Sequence, residues 1–247
     1  MNNEQNKFYT SISEHYSEIF PYNPLQLDFV KNSSGELNEK QLLDIGCATG
    51  ELAFQLAKNG ANVIGIDLNE ELLNQAKINK IHLNLKFQLG NMLELGNDFQ
   101  KKQFDAVICF GNTLVHLPTI EFIKQFLDGT NEILKPGGKF LIQILNYNYI
   151  LDELVSELPF IETENIKFIR KYKFTDKNSI IRFQTELFLK KEKLSIRNET
   201  KLLPLKSNAL INLLKNSGFT AIELFSNFKK KTFGGSHLPL IITCCKK

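Results

Sequence analysis

Two glycines and two aspartates carry the first chemical signal in this chain. Over residues 42–51 the order is Leu-Leu-Asp-Ile-Gly-Cys-Ala-Thr-Gly-Glu, an apolar strand entering a turn that bears Gly46 and Gly50. Glycines there let backbone pass close to a ligand, and a helix opening just beyond favours a carboxylate or phosphate at its N-terminus. The next apolar strand ends at Asp67. A carboxylate at that point can accept hydrogen bonds from both hydroxyls of a ribose, as in dinucleotide-binding folds. The turn is neither G-x-G-x-x-G nor a G-x-x-x-x-G-K-[ST] loop, so a pyrophosphate reading is weak. The bland alternative is a structural strand-to-helix turn with Asp67 as a helix cap. A side chain at Gly46 is expected to fill the ligand's space.

A second run, "FDAVICFGNTLVHLP" at 104–118, places Phe110, Gly111, Asn112 and His116 just past the end of a later strand. Ligands of open parallel sheets bind outside the carboxyl ends of the strands, so these residues are expected to face the same ligand. His116 has two open readings, a base or a histidine satisfied in the core. Cys47 reads as a small residue beside the ligand, because nothing nearby would depress its pKa enough to make a nucleophile.

The elements that must position these residues alternate in kind. Residues 41–45, 62–66, 85–89, 104–109 and 139–145 read as strands, and 50–59, 69–80 and 119–134 as the helices between them. Asn69 can cap the second helix, and Pro136-Gly137-Gly138 is expected to terminate the third. Strand–helix alternation implies a mostly parallel sheet of seven strands, Rossmann-like, with helices on both faces. Residues 5–31 read as one or two helices broken between Pro21 and Pro24. After residue 160 the pattern becomes antiparallel, with strands at 166–174, 180–189 and 193–203 and a hairpin turn at Asp176-Lys177-Asn178-Ser179. A helix at 207–216 and two final strands close the chain. The expected organisation is one domain over 1–247, with an N-terminal helical lid at 1–36 and an antiparallel insertion at 160–203.

Composition narrows the function classes. The chain has 247 residues, 43% hydrophobic and 23% charged, which supports a packed core. A formal net charge of +3 is a weak footprint for nucleic acid. The lysines 229, 230 and 231 read as a solvated loop. The four cysteines form no C-x-x-C pair and have no histidine at ligand spacing, so neither a metal nor a disulfide framework is expected. No apolar run approaches the roughly 20 residues that span a membrane. A reduced cytoplasm is the expected compartment, and the chain is expected as a monomer or homodimer.

The strand–turn–acid arrangement resembles the class I S-adenosylmethionine-dependent methyltransferases. The resemblance implies that Asp44, Gly46, Cys47, Ala48 and Gly50 hold the methionine part of S-adenosylmethionine, Asp67 the ribose, and Leu68 the adenine. In "QLGNMLE", Asn91 stands where the family usually has an acid that accepts the adenine amine. By resemblance its amide oxygen takes that bond and the Met92 backbone reaches the ring. Phe110 and Gly111 would flank the cofactor, and Tyr9 and Tyr16 would fold over it unless they are plain packing. "GNTLVHLP" and the Asn146–Leu151 stretch are similar to the branch containing glycine N-methyltransferase. That branch implies Asn112 beside the transferred methyl, and it carries an arginine where this chain has Leu145. A bidentate arginine–carboxylate pair is hard to replace by an aliphatic side chain, so glycine is not expected as acceptor. Arg170 shares a strand face with Phe168 and Tyr172 and reads either as a contact for an anionic acceptor or as solvated. The leading expectation is methyl transfer to a small molecule. An RNA methyltransferase and a non-catalytic S-adenosylmethionine-binding protein are the alternatives.

Overall fold

Strands largely buried on both faces build the central sheet of the computed structural model, which describes residues 3–175 and 179–247. Most of the hairpin turn expected at 176–179 lies outside them. The strands are β1 (Gln41–Ile45), β2 (Asn62–Asp67), β3 (Leu85–Leu89), β4 (Phe104–Cys109) and β5 (Leu134–Leu145). β6 (Glu157–Glu162), β7 (Ile166–Phe174), β8 (Ile181–Leu189) and β9 (Leu194–Leu202) follow, then β10 (Phe219–Phe225) and β11 (Pro239–Lys246). The seven-stranded sheet runs β10-β11-β5-β4-β1-β2-β3, and β6-β7-β8-β9 form a separate antiparallel sheet. β1 pairs in parallel with both β2 and β4, while β11 runs antiparallel to β5 and β10. The expected fold class is therefore the one observed.

The helices are α1 (Asn3–Ile12), α2 (Tyr16–Ile19), α3 (Pro24–Ser34), α4 (Glu51–Lys58) and α5 (Glu70–Asn79). α6 (Leu95–Asp98), α7 (Ile120–Ile133), α8 (Tyr147–Asp152) and α9 (Ser207–Asn216) complete the set among the described residues. Local chemistry sets their starts. Asn23, Asn69, Thr119 and Asn146 each cap a helix by accepting a backbone N–H, from Leu25, Leu72, Phe122 and Tyr149 respectively. Pro24 occupies the first turn of α3, where its missing N–H costs nothing.

Consecutive strand residues point to opposite faces, so each strand feeds two cores. On one face Leu43, Val107, Phe140 and Ile142 meet Phe126 of α7 and Leu210 and Leu214 of α9. On the other, Leu42, Ala106, Ile108 and Leu141 meet Phe29 of α3 and Ala53 and Leu56 of α4. A third cluster joins Phe8, Ile12 and Ile19 of the N-terminal helices to Ile166, Phe168 and Leu187 of the antiparallel sheet.

Two expectations needed revision. Pro136-Gly137-Gly138 does not lie after a long helix as its terminator. α7 ends at Ile133, and the three residues form an irregularity inside β5, where the β4 register slips from Phe104↔Leu134 to Ala106↔Lys139. The antiparallel segment also begins earlier than 160, with β6 starting at Glu157. Pro159 is compatible with that strand because it sits at the sheet edge, where a ladder donor is dispensable.

Phe140 is fully buried, with ring centroids of Phe126 and Phe219 at 5.8 and 5.5 Å. Phe140→Ala should cost about 3–5 kcal/mol of unfolding free energy. Urea denaturation checks this, and an unchanged midpoint would contradict the packing described.

Candidate active site

The Asp67 carboxylate ties the two loops at the carboxyl ends of β1 and β2 together. Its Oδ2 accepts the Ala48 N–H at 2.9 Å and its Oδ1 accepts the Asn69 N–H at 2.8 Å. Ala48 itself has a positive φ of 49°, and Gly46 and Gly50 have 72° and 77°. The turn is thus a run of left-handed residues held by one acid. Burial raises the Asp67 pKa, while the N–H groups of Asn69, Ala48 and Leu68 pull it back.

Around this clamp lie two adjoining cavities. The first, of about 360 Å³, has Asp67, Leu68, Asn69 and Met92 on one side and Tyr9, Tyr16, Gly111, Thr113 and His116 on the other. The second, of about 380 Å³, is lined by Asp44, Cys47, Thr49, Phe110, Tyr22 and Gln26. Tyr9, Tyr16, Gly46, Ala48 and Gly111 border both. The pair forms a cleft long enough to hold a ligand with a sugar at one end and a charged tail at the other.

Electrostatically the cleft is acidic. Asp44 is buried, has no hydrogen-bond partner among the described residues, and is pushed up to about 7 by burial and by Asp67. The hydroxyls of Tyr9 and Tyr16 are driven well above their ordinary pKa by burial, so both stay neutral. Burial also raises the Cys47 thiol, which is therefore inert. The Tyr9 hydroxyl meets His116 Nε2 at 3.0 Å, and His116 Nδ1 is buried without a partner. Burial lowers the His116 pKa to about 4, which keeps the ring neutral at pH 7.

Most residues singled out in the sequence lie together here: Tyr9, Tyr16, Asp44, Gly46, Cys47, Ala48, Asp67, Leu68, Met92, Phe110, Gly111 and His116 all line one cavity or both. Three do not. Gly50 borders neither, and a Cβ there would lie 2.3 Å from the Phe87 ring, so it serves the turn and the packing behind it. Asn91, expected at the adenine amine, turns its oxygen to the Leu93 N–H at 3.0 Å and caps a short 3-10 helix. Asn112, expected beside the methyl, spans Leu145 and Tyr147 instead. Its Oδ1 accepts the Leu145 N–H at 2.9 Å and its Nδ2 donates to the Tyr147 hydroxyl at 3.1 Å. Gly46 lines both cavities and also packs closely on Thr113. A Cβ there would lie 2.7 Å from Thr113 Oγ1 and 2.8 Å from its Cγ2, so Thr113 excludes a side chain before any ligand does.

Sequence reasoning missed Asn6, Asn69 and Thr113 as cavity residues. Asn69 was legible only as a cap, yet its Nδ2 also donates to Asn6 Oδ1 at 2.6 Å and to Thr10 Oγ1 at 2.9 Å, fastening α1 over the cleft.

The sheet order, with the glycine turn and Asp67 at the carboxyl ends of its strands, defines the Rossmann-like methyltransferase class. A methyltransferase domain model matches residues 37–201, and the chain belongs to that family. It is 30% identical over 170 residues to a ubiquinone biosynthesis O-methyltransferase of Shewanella pealeana, covering 65% of this chain and 70% of that one. Among solved structures, an S-adenosylmethionine-dependent methyltransferase from Clostridium acetobutylicum superposes with a TM-score of 0.80 at 18% identity over 99% of both chains. The CcbJ methyltransferase from Streptomyces caelestis gives 0.80 at 20% identity over 96% of both. Among the described residues no helix is long and apolar enough to cross a membrane.

Asp44 makes a prediction about the ligand-free protein. Its folded pKa of about 7 lies above the ordinary 3.8, so the folded state holds a proton that the unfolded state releases. Its contribution to stability is complete below pH 4 and is lost as pH rises toward 7. Urea midpoints measured from pH 5 to 8 should fall more steeply for the parent protein than for Asp44→Asn. Parallel curves would contradict an isolated buried carboxyl.

Proposed function

We propose that this protein transfers the methyl group of S-adenosylmethionine to a small organic acceptor. The observation that carries the reading is the acidic, two-part cleft, with Asp67 at one end and the unpartnered Asp44 at the other. A donor with a ribose, a sulfonium and an ammonium matches such a site in shape and charge. Asp67 receives the ribose hydroxyls with the lone pairs its two backbone bonds leave free. Asp44 ionises against the ammonium, and Leu68 and Met92 flank the adenine.

The bound donor supplies an electrophilic methyl carbon on a positively charged sulfur. The acceptor's lone pair forms the new bond to that carbon as the carbon–sulfur bond breaks, its electron pair stays on sulfur, and the acceptor loses a proton. Such a displacement depends on alignment and exclusion of water more than on a strong base. His116 suits that division of labour. At a pKa of about 4 it is a weak proton acceptor, but a neutral ring fixed by Tyr9 can orient an acceptor hydroxyl or amine. Asn112 acts as a positioning residue that holds Gly111 and Thr113 against the end of β5.

In this reading the chain is one domain. Residues 1–36 close over the donor through Tyr9 and Tyr16, and the insertion at 160–203 roofs the acceptor. The kinship with the glycine N-methyltransferase branch rests on the "GNTLVHLP" run and extends to architecture rather than substrate, because Leu145 offers no carboxylate clamp. A cytoplasmic, membrane-free and RNA-independent setting, as a monomer or homodimer, completes the proposal. Support for a small acceptor comes from relatives such as the Shewanella O-methyltransferase, whose name places it in ubiquinone biosynthesis.

Purified protein incubated with methyl-labelled S-adenosylmethionine and cell extract tests this directly. Label should appear in a small-molecule fraction; label in RNA or protein would overturn the acceptor class, and binding without transfer would favour a non-catalytic protein. Asp67→Asn should weaken S-adenosylmethionine binding by about 1–3 kcal/mol in calorimetry, the usual cost of losing charge-assisted bonds. Unchanged affinity would remove the ribose assignment.

A further inference from the structure

The chain's other two arginines on the antiparallel sheet are paired on its outer face. Arg182 meets Glu199 at 3.2 Å and Arg197 meets Glu186 at 2.9 Å. Arg170 differs from both. It lies on the opposite, inner face, has no carboxylate within ion-pair distance among the described residues, and donates only to the Pro159 carbonyl at 2.7 Å. Its Nε is shielded from solvent without a partner. Directly across the β7–β8 ladder stands Thr185, whose Oγ1 is likewise buried and unpartnered. Neighbouring cross-strand side chains on one face lie within mutual reach. Two adjacent shielded donor atoms, the Nε of a half-buried guanidinium and a threonine hydroxyl, are thus left unmet by the protein. Burial pulls the guanidinium's pKa down, with Tyr172 acting the other way, as expected of a cation that lacks its counter-ion.

The flanking residues connect this pair to the methyl-transfer cleft. Phe168, two residues before Arg170, packs on Phe20 with centroids 5.9 Å apart, and Phe20 packs on Tyr16 at 5.1 Å. Tyr16 borders both cavities. Two residues after Arg170, the Tyr172 hydroxyl adjoins that of Tyr147, which in turn bonds Asn112. The far end of the insertion is tied back by Leu203 N–H to the Val115 carbonyl at 2.9 Å, beside His116. Arg170 itself borders neither cavity; it reaches the cleft through these neighbours on its own strand.

We infer that Arg170 and Thr185 anchor an anionic group, a carboxylate or a phosphate monoester, on the molecule that accepts the methyl. The inference rests on the methyltransferase reading and adds the acceptor's class. The guanidinium supplies charge and a directed Nε–H, and the threonine hydroxyl supplies a second donor to the same anion. The reacting atom then lies at the opposite end of the acceptor, toward His116.

The test holds the protein with S-adenosylhomocysteine and titrates matched probes by calorimetry: 4-hydroxybenzoate against 4-hydroxybenzamide, tyrosine against tyrosinamide, and phenyl phosphate against phenol. At least one acid should bind tenfold or more tightly than its uncharged partner, and the arm that responds distinguishes carboxylate from phosphate. Arg170→Gln should abolish that preference while leaving the affinity for S-adenosylhomocysteine unchanged. Arg170→Lys, which keeps the charge but loses the planar fork, should retain part of it. Equal or absent binding of acids and their neutral partners, or a preference that survives Arg170→Gln, would overturn the inference. Failure to bind S-adenosylhomocysteine in the first place would overturn the donor site itself, and the anchor with it.

Discussion

One carboxylate holds the working end of this molecule in shape. Asp67 accepts from Ala48 on the glycine turn and from Asn69 at the head of α5. Ala48 takes a left-handed conformation that a residue with a Cβ adopts reluctantly. The Asp67 bond offsets that cost, while the Ile66 carbonyl, accepting from the Gly46 and Cys47 N–H groups at 2.8 and 3.0 Å, holds the turn just before it. Asn69, placed by the same carboxylate, caps α5 and grips Asn6 and Thr10 of α1. Asp67 and Asn69 thus link the floor of the cleft to its N-terminal cover, alongside bonds from Gln75 to Ser13 and between Ser17 and Thr49.

The same economy shapes the electrostatics. Two acids share a buried region in which the tyrosines, the thiol and the histidine are all kept neutral. Desolvation disfavours the charged form of each of these groups. Burial raises both carboxyls as well, and the nearby Asp67 further discourages ionisation of Asp44. A cation entering the cleft relieves both penalties at once, whereas a neutral or anionic ligand relieves neither. Charge selection thus follows from burial rather than from a dedicated ion pair.

Legibility in the sequence tracked the range of the interactions involved. The strand–turn–helix at 42–51 and the acid at the end of β2 were readable because chain neighbours determine them. The cap at Asn69 was readable for the same reason. The packing of Gly46 and Gly50 and the bonds of Asn112 were not, because each depends on a side chain distant in sequence: Thr113, Phe87 and Tyr147. The Asn91 bond to Leu93 was not read either; an asparagine before a short helix serves its own backbone first. β6 was missed as a strand because Pro159 argues against one until the strand is known to lie at an edge.

The antiparallel sheet is tied to the central sheet at both ends. It enters from β5 through α8, whose start is fixed by the Asn146 cap, with the Asn112 amide on the Leu145 N–H just before it. It leaves through the Leu203 bond to Val115. Both attachments lie at the carboxyl edge of the central sheet, and neither passes through the strands that form the cleft. Its inner face also packs Ile166, Phe168 and Leu187 against Phe8, Ile12 and Ile19 of the N-terminal helices, so it supports the cover of the cleft as well. Structures at 18% and 20% identity share the architecture over nearly the whole chain. Strand periodicity and a few clamps suffice to preserve such a sheet across that divergence.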